Sequence, residues 1–305
     1  AAESGDFDFS LTTDRPAALV RLLPVAVDPA NLPLWYPTGG AGRVTGRLEL
    51  RPRAVASRFA LELEHAVSRG LAAERVDGEM GVDANGLSGI RLTAHQGATS
   101  VTLGGELPFA ETQPLALHVA LADWPAASLM PWLPMSLPLA GPVRGDVELA
   151  GTLAALAGRA RLTVTPATAY GVDLDSLEAA LRFDPAGVQV ERLAARLPAG
   201  QIAASGRYGL PEESLDFQFS APGLDLAAAP FSALLPAPLS GVGELGGTLR
   251  GRFAAPDLAL TWRTAGVQVG QASLPDASLS LRWSDGAARA EGSLFGLVEV
   301  TGGGP

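Results

Sequence analysis

One stretch returns along this chain at a fixed interval, and that periodicity restricts the available folds more than any other feature. The first copy is Gly42-Arg43-Val44-Thr45-Gly46-Arg47-Leu48-Glu49-Leu50. The second is Gly141-Pro142-Val143-Arg144-Gly145-Asp146-Val147-Glu148-Leu149, and a looser third runs from Pro238 through Gly241 and Gly243 to Leu249 and Gly251. The last two share Pro138/Pro238, Leu139/Leu239, Gly141/Gly241, Leu149/Leu249 and Gly151/Gly251, an interval of about a hundred residues. Self-similarity at a fixed period marks a structural unit laid down repeatedly, and such chains are counted in units rather than in globules. A catalytic motif would normally occur once. The copies divide the chain into a partial unit over 1–41, full units over 42–140 and 141–240, and a partial unit over 241–305, forming one continuous array.

Within each unit, apolar residues alternate with polar ones. Phe59, Leu61 and Leu63 are separated by Ala60 and Glu62, and Leu115, Leu117, Val119 and Leu121 follow the same rule. So do Leu162 and Val164, Leu181 and Phe183, Leu215, Phe217 and Phe219, Leu258, Leu260 and Trp262, and Leu279, Leu281 and Trp283. A period of two predicts strands with one apolar face and one wet face. Short apolar helices are expected only over Trp124–Leu133, Leu226–Leu235 and Asp28–Trp35. The uncharged runs Pro125–Val143 and Leu226–Gly243 are as long as a membrane span, about 18–20 residues. Each contains several prolines, and a proline inside a helix costs about 3 kcal/mol or more, so a short helix, a break and then a strand is the better reading.

The turns keep the same period. Asp83-Ala84-Asn85-Gly86 corresponds to Asp184-Pro185-Ala186-Gly187 and to Asp285-Gly286. Asn-Gly and Asp-Gly predict two-residue hairpins with both central residues at positive φ. A calcium loop at Asp83 would need further ligands and a terminal Glu in step, which the sequence lacks. After each turn comes a matching strand pair. Val101 and Leu103 align with Ile202 and Ala204, and these with Val298 and Val300.

Composition narrows the function. The net charge is −10, which argues against a nucleic-acid face, since that needs a basic stripe. Hydrophobic residues make up 47% of the chain and charged ones 18%, so it can bury a core and is not disordered. With no Cys there is neither a disulfide nor a thiolate metal site. His65, His95 and His118 lack the close spacing of a zinc pair, so no metal or cofactor is expected. Gly241-Val242-Gly243-Glu244-Leu245-Gly246 matches a dinucleotide-binding string. It heads a strand in a repeat, where that motif requires a strand-to-helix turn. No nucleophile elbow, phosphate loop or H-E-x-x-H is present, so the chain is read as non-enzymatic. It begins Ala1-Ala2-Glu3 and stops within a repeat, which leads us to expect a segment of a longer protein.

Geometry supplies the remaining expectation. About twenty strands spaced ~4.8 Å apart would form a sheet roughly 95 Å long, apolar on one face throughout. A sheet that long twists, so it must meet a second sheet, close, or curl on itself. A curled sheet whose apolar face is only partly self-filled is a trough for something equally apolar, and acyl chains fit. The expected lining is Phe59, Leu61, Leu63, Val101, Leu103, Leu115, Leu117, Val119, Leu121, Leu162, Val164, Leu181, Phe183, Ile202, Leu215, Phe217, Phe219, Leu258, Leu260, Trp262, Leu279, Leu281 and Trp283.

The run Gly243-Glu244-Leu245-Gly246-Gly247-Thr248-Leu249, followed by Ala254-Ala255-Pro256-Asp257-Leu258-Ala259-Leu260, resembles the repeats of the TamB and AsmA-like family of bacterial envelope proteins. The likeness covers nearly the whole chain, least before about residue 40, and rests on a repeated compositional pattern. It implies an elongated, all-β, repetitive antiparallel sheet curled into a U-shaped groove (a β-taco), with a short apolar helix per repeat. It further implies an inner-membrane anchor outside this segment, a path across the periplasm, and carriage of phospholipid acyl chains between inner and outer membranes. An outer-membrane barrel partner would be met through a region outside this chain. Two other readings follow from the strands. One is an assembly or chaperone module for outer-membrane β-barrel or autotransporter proteins, acting by strand pairing at open edges. The other is a β-solenoid with a fully packed core.

Overall fold

The computed structural model describes residues 5–14, 39–51, 54–68, 71–129, 138–228, 239–294 and 298–304. These residues are nearly all strand, as the period-two pattern predicts, and neighbouring strands pair antiparallel. The strands are β1 (Gly5–Thr13), β2 (Gly39–Arg51), β3 (Ala54–Ser68), β4 (Leu71–Val82), β5 (Gly86–Gln96), β6 (Thr99–Pro108) and β7 (Leu115–Pro125). A single helical turn, α1 (Ala126–Leu129), follows. Then come β8 (Leu139–Ala140), β9 (Pro142–Thr152), β10 (Ala155–Val164), β11 (Ala167–Ala169), β12 (Val172–Leu174), β13 (Ser176–Asp184), β14 (Gly187–Leu197), β15 (Gly200–Gly209) and β16 (Ser214–Asp225). The last are β17 (Leu239–Arg252), β18 (Ala255–Val269), β19 (Ala272–Ser273), β20 (Ala277–Ser284), β21 (Ala287–Leu294) and β22 (Val298–Gly304).

The chain divides into two compact units. In the first, β1 through β7 pair in chain order and β9 closes the series on β7. In the second, β13 through β18 pair in order, followed by β20, β21 and β22, while β8, β11 and β12 form a small separate sheet.

The expected helices differ from what is seen. Among the described residues α1 is the only helix. Trp124 and Pro125 stay in β7 because they pair with Val143 and Pro142 of β9. Leu226 to Ala228 form a turn, closed by the Ala228 amide donating to the Asp225 carbonyl. The remainder of those two stretches, 130–133 and 229–235, and the whole of 28–35, lie outside the described residues.

The turns also divide into two kinds. At Asp285-Gly286 both residues are left-handed, φ +51° and +75°, as a two-residue hairpin of this type needs. At Asp83 and Asp184 the side chain makes the turn instead. Asp83 Oδ1 accepts from the Asn85 and Gly86 amides at 2.7 and 3.1 Å, and Asp184 Oδ1 accepts from the Ala186 and Gly187 amides at 2.8 and 3.0 Å. These are Asx turns, with the carboxylate engaged by the backbone.

The repeat is written into the backbone even where residue types differ. β7 slips register between Leu121 and Trp124, and β16 slips between Ala221 and Leu224, a hundred positions on. Inside those slips Asp123 (φ +57°) and Gly223 (φ +65°) are both left-handed. Tyr170 (φ +50°) and Gly270 (φ +61°) form a second such pair.

Candidate functional site

Residues directly opposite each other in an antiparallel pair project to the same face, so the register assigns each side chain to a face. In the first unit Leu11, Val44, Leu61, Gly78, Leu92, Leu103, Val119 and Val147 follow one another across eight strands without a polar residue. Phe59 lies opposite Gly46, Leu63 opposite Gly42, Val101 opposite Leu121, Leu117 opposite Leu149, and Leu115 opposite Gly151, all on that face. In the second unit the row is Leu181, Val190, Gly206, Phe217, Leu249, Leu258, Trp283 and Ala288. A parallel row holds Phe219, Gly247, Leu260 and Leu281. Trp262 stands between Leu245 and Leu279, Phe183 opposite Val188, Leu215 opposite Gly251, and Ile202 opposite Ala195. Leu162 and Val164 share one face of β10, Leu162 half-buried and Val164 buried.

Each expected lining residue outside β10 therefore falls on the apolar face of its own unit. Exposure differs between the two units in degree: in the first, Phe59, Val101, Leu103, Leu117 and Val119 are half-buried, while Leu61, Leu63, Leu115 and Leu121 are enclosed. In the first unit Leu61, Leu63, Val44, Met80, Val82, Leu87, Ile90 and Leu92 form a buried cluster, with Leu63 at 0% and Ile90 at 2% exposure. Phe9, Phe59, Leu103, Leu107, Phe109 and Leu117 pack against it. In the second unit the large residues Phe183, Ile202, Leu215, Phe217, Phe219, Leu258, Leu260, Trp262, Leu279 and Leu281 are half-buried, and Trp283 is 46% exposed.

Glycines shape this face. A Cβ at Gly206 would sit 2.6 Å from Cδ1 of Phe217, and one at Gly243 would sit 2.5 Å from Cη2 of Trp262. A Cβ at Gly247 would collide with the Phe219 ring. The rings thus lie down over glycines of the adjacent strand, the pairing by which aromatic residues cover glycines in sheets. The result is a low apolar surface.

The opposite face is charged. Arg47 reaches Asp6 at 2.7 Å, Arg91 reaches Glu79 at 2.9 Å, Arg182 reaches Glu191 at 2.9 Å, and Arg250 reaches Asp216 at 3.1 Å. Such exposed pairs contribute little stability each, but they hold one side of the sheet in water. Arg144 grips Asp123 through two hydrogen bonds of 2.6 and 2.7 Å, and the guanidinium holds the Asp123 carboxyl below its ordinary range. His95 and His118 stand on this face near Asp77 and Asp146, at 3.6 and 3.4 Å. Among the described residues no three His, Asp or Glu side chains converge as a metal site would require.

Several residues of the apolar face lie outside the expected lining: Phe9, Val44, Met80, Ile90, Leu92, Val147, Val190, Leu245 and Leu249. Trp124 is another, fully buried, with an indole N–H that has no hydrogen-bond partner among the described residues. Their signal was present in the alternation but was diluted by glycine at every second or third inward position. No protein-family model, curated protein or solved structure matches this chain.

Proposed function

We propose that this chain is a non-enzymatic lipid-carrying segment whose apolar sheet face accommodates phospholipid acyl chains. The supporting observation is the unbroken apolar register of the second unit combined with its half-exposure. Large side chains from β13 to β20 form rows without an intervening charge, and they remain open to solvent. Folded proteins rarely leave contiguous apolar surface uncovered unless something binds it. An acyl chain suits a low, continuous strip because its burial gains about 0.8 kcal/mol per methylene without directional contacts. Placement in the bacterial periplasm, between an inner-membrane anchor and the outer membrane, follows from the resemblance of Gly243–Leu249 and Ala254–Leu260 to envelope-protein repeats.

The test is mass spectrometry of what co-purifies with the protein after mild extraction from a bacterial host. The control carries Leu117→Asp and Leu260→Asp, with its fold checked by circular dichroism. Phospholipid on the native chain and none on the folded control is the expected outcome. Absence of lipid from the native chain would return the face to a packed solenoid core or to a strand-pairing surface.

A further inference from the structure

The two units carry the same register at one rim of each and expose it to different degrees. In the first unit Leu115 faces Gly151 and is 4% exposed. The next residue, Thr152, accepts the Ala155 amide through its hydroxyl at 3.1 Å. A hundred positions on, Leu215 faces Gly251, but here Leu215 is half-buried and the next residue is Arg252. A cavity of about 420 Å³ opens between them, lined by Glu212, Ser214, Leu215, Gly251 and Arg252.

The lining residues of this cavity come from both faces of the two strands. Leu215 and Gly251 belong to the apolar face, while Ser214 and Arg252, paired across the strands, belong to the polar one. Arg252 has no carboxylate partner among the described residues, although Arg250, two positions earlier, is held by Asp216. Exposed apolar residues flank the site on the adjoining turns, Leu210 at 43% and Phe253 at 55%; Leu153, at the place of Phe253 in the first unit, is exposed as well, at 48%. The two turns are tied together by the Phe253 amide donating to the Glu213 carbonyl at 2.8 Å. Glu213 is itself left-handed, φ +49°, a conformation that only a well-determined setting retains.

An unpaired guanidinium, a hydroxyl and a carboxylate next to the end of an apolar strip complement a zwitterionic amphiphile. We propose that this rim is a phospholipid station. The phosphate lies on Arg252 and Ser214, and Glu212 faces the headgroup ammonium. The acyl chains pass Leu215 onto Phe217 and Phe219. The proposal rests on the lipid-strip reading above and localises it: the second unit receives lipid at this rim, and the first unit, with Leu115 buried and Thr152 in place of Arg252, does not.

The test uses the full chain with a photoreactive benzoylphenylalanine at Phe217 or, in parallel, at Leu117, which occupies the matching half-buried position in the first unit. Each protein is irradiated with phosphatidylethanolamine in detergent micelles, and adducts are read by mass spectrometry. Adducts at position 217 and not at 117 are expected. Adding Arg252→Thr should cut capture of phosphatidylethanolamine at 217 by about tenfold, the loss of one charge-assisted hydrogen bond, and leave capture of a neutral diacylglycerol unchanged. Equal adducts at both positions, or indifference to Arg252→Thr, would overturn the station while leaving the strip intact. No adduct of either lipid at either position, in proteins with native circular dichroism, would remove the strip as well.

Discussion

Placing a carboxylate on the apolar face should have very different effects in the two units. Leu63 is fully enclosed within the buried cluster of β2 to β5. Truncating an enclosed Leu costs about 2–5 kcal/mol in lost transfer energy and cavity. Leu63→Asp also strands a charge without a partner, several kcal/mol more. The sum rivals the whole stability of an ordinary domain, about 5–15 kcal/mol. Leu260 is only half-buried, so an aspartate there keeps part of its water. Its cost is the partial burial of one Leu, about 1–2 kcal/mol. At about 2–4 °C per kcal/mol for a unit of this size, Leu260→Asp should lower the melting temperature by roughly 2–8 °C. Leu63→Asp should abolish cooperative melting of the first unit. Circular dichroism melts give the magnitudes, and amide hydrogen exchange locates the loss, in β2 to β5 for Leu63→Asp. If Leu260→Asp unfolds its unit as completely as Leu63→Asp does, the second face is a packed core and the lipid strip does not exist.

Other perturbations probe the frame. Gly270→Ala forces a Cβ into the left-handed region and should cost about 1–2 kcal/mol, whereas Tyr170→Gly, at the matching exposed left-handed position, should lose nothing; denaturant midpoints check both. Arg144 lowers the pKa of Asp123 in the folded state, so this pair contributes stability above the unfolded value near 3.8, and the contribution disappears as pH falls through the lower folded value. Asp123→Asn should therefore melt below the native chain at neutral pH, and the two should converge under strong acid or in high salt. Trp124→Phe removes a buried donor that has no partner among the described residues and should change stability by less than about 1 kcal/mol, because relieving the orphan offsets the lost volume. Trp124→Ala leaves a cavity and should cost about 3–5 kcal/mol, which urea titration would separate from the phenylalanine variant.

The strands and their faces were readable because alternation is a local property. Phe59-Ala60-Leu61-Glu62-Leu63 or Leu258-Ala259-Leu260-Thr261-Trp262 can place its apolar side chains on one face only as a strand. The turn at Asp285-Gly286 was readable for the same reason. Other features were not local. Asp83 and Asp184 turn the chain with their side chains, so Asn85-Gly86 resembled a type of hairpin it does not form. The register slips around Asp123 and Gly223 follow from pairing with the glycine-rich strand, and one of those residues is not glycine. The small sheet of β8, β11 and β12 consists of strands too short to show a period. Exposure was the least legible property of all. Leu115 and Leu215 stand in the same motif context, and only the fold shows that one is sealed and the other open.

That contrast has a chemical counterpart in residue choice. Where the first unit places Leu117 and Val119 on β7, the second places Phe217 and Phe219 on β16, and where β3 carries Leu61, β18 carries Trp262. Branched aliphatic side chains interlock, which favours a sealed cluster such as the one around Leu63. Aromatic rings do something else on an open face. They present a large apolar area through only two rotatable bonds, so holding them against a ligand costs little entropy. Resting on Gly206, Gly247 and Gly243, these rings are kept flat before any ligand arrives. If lipid rather than packing set these choices, replacing Phe217 and Phe219 by leucine should leave the fold intact and weaken acyl-chain capture. If packing set them, the same exchange should destabilise the second unit and leave capture by the remaining folded protein unchanged. Measuring melting temperature and lipid adducts on the one double variant separates the two causes.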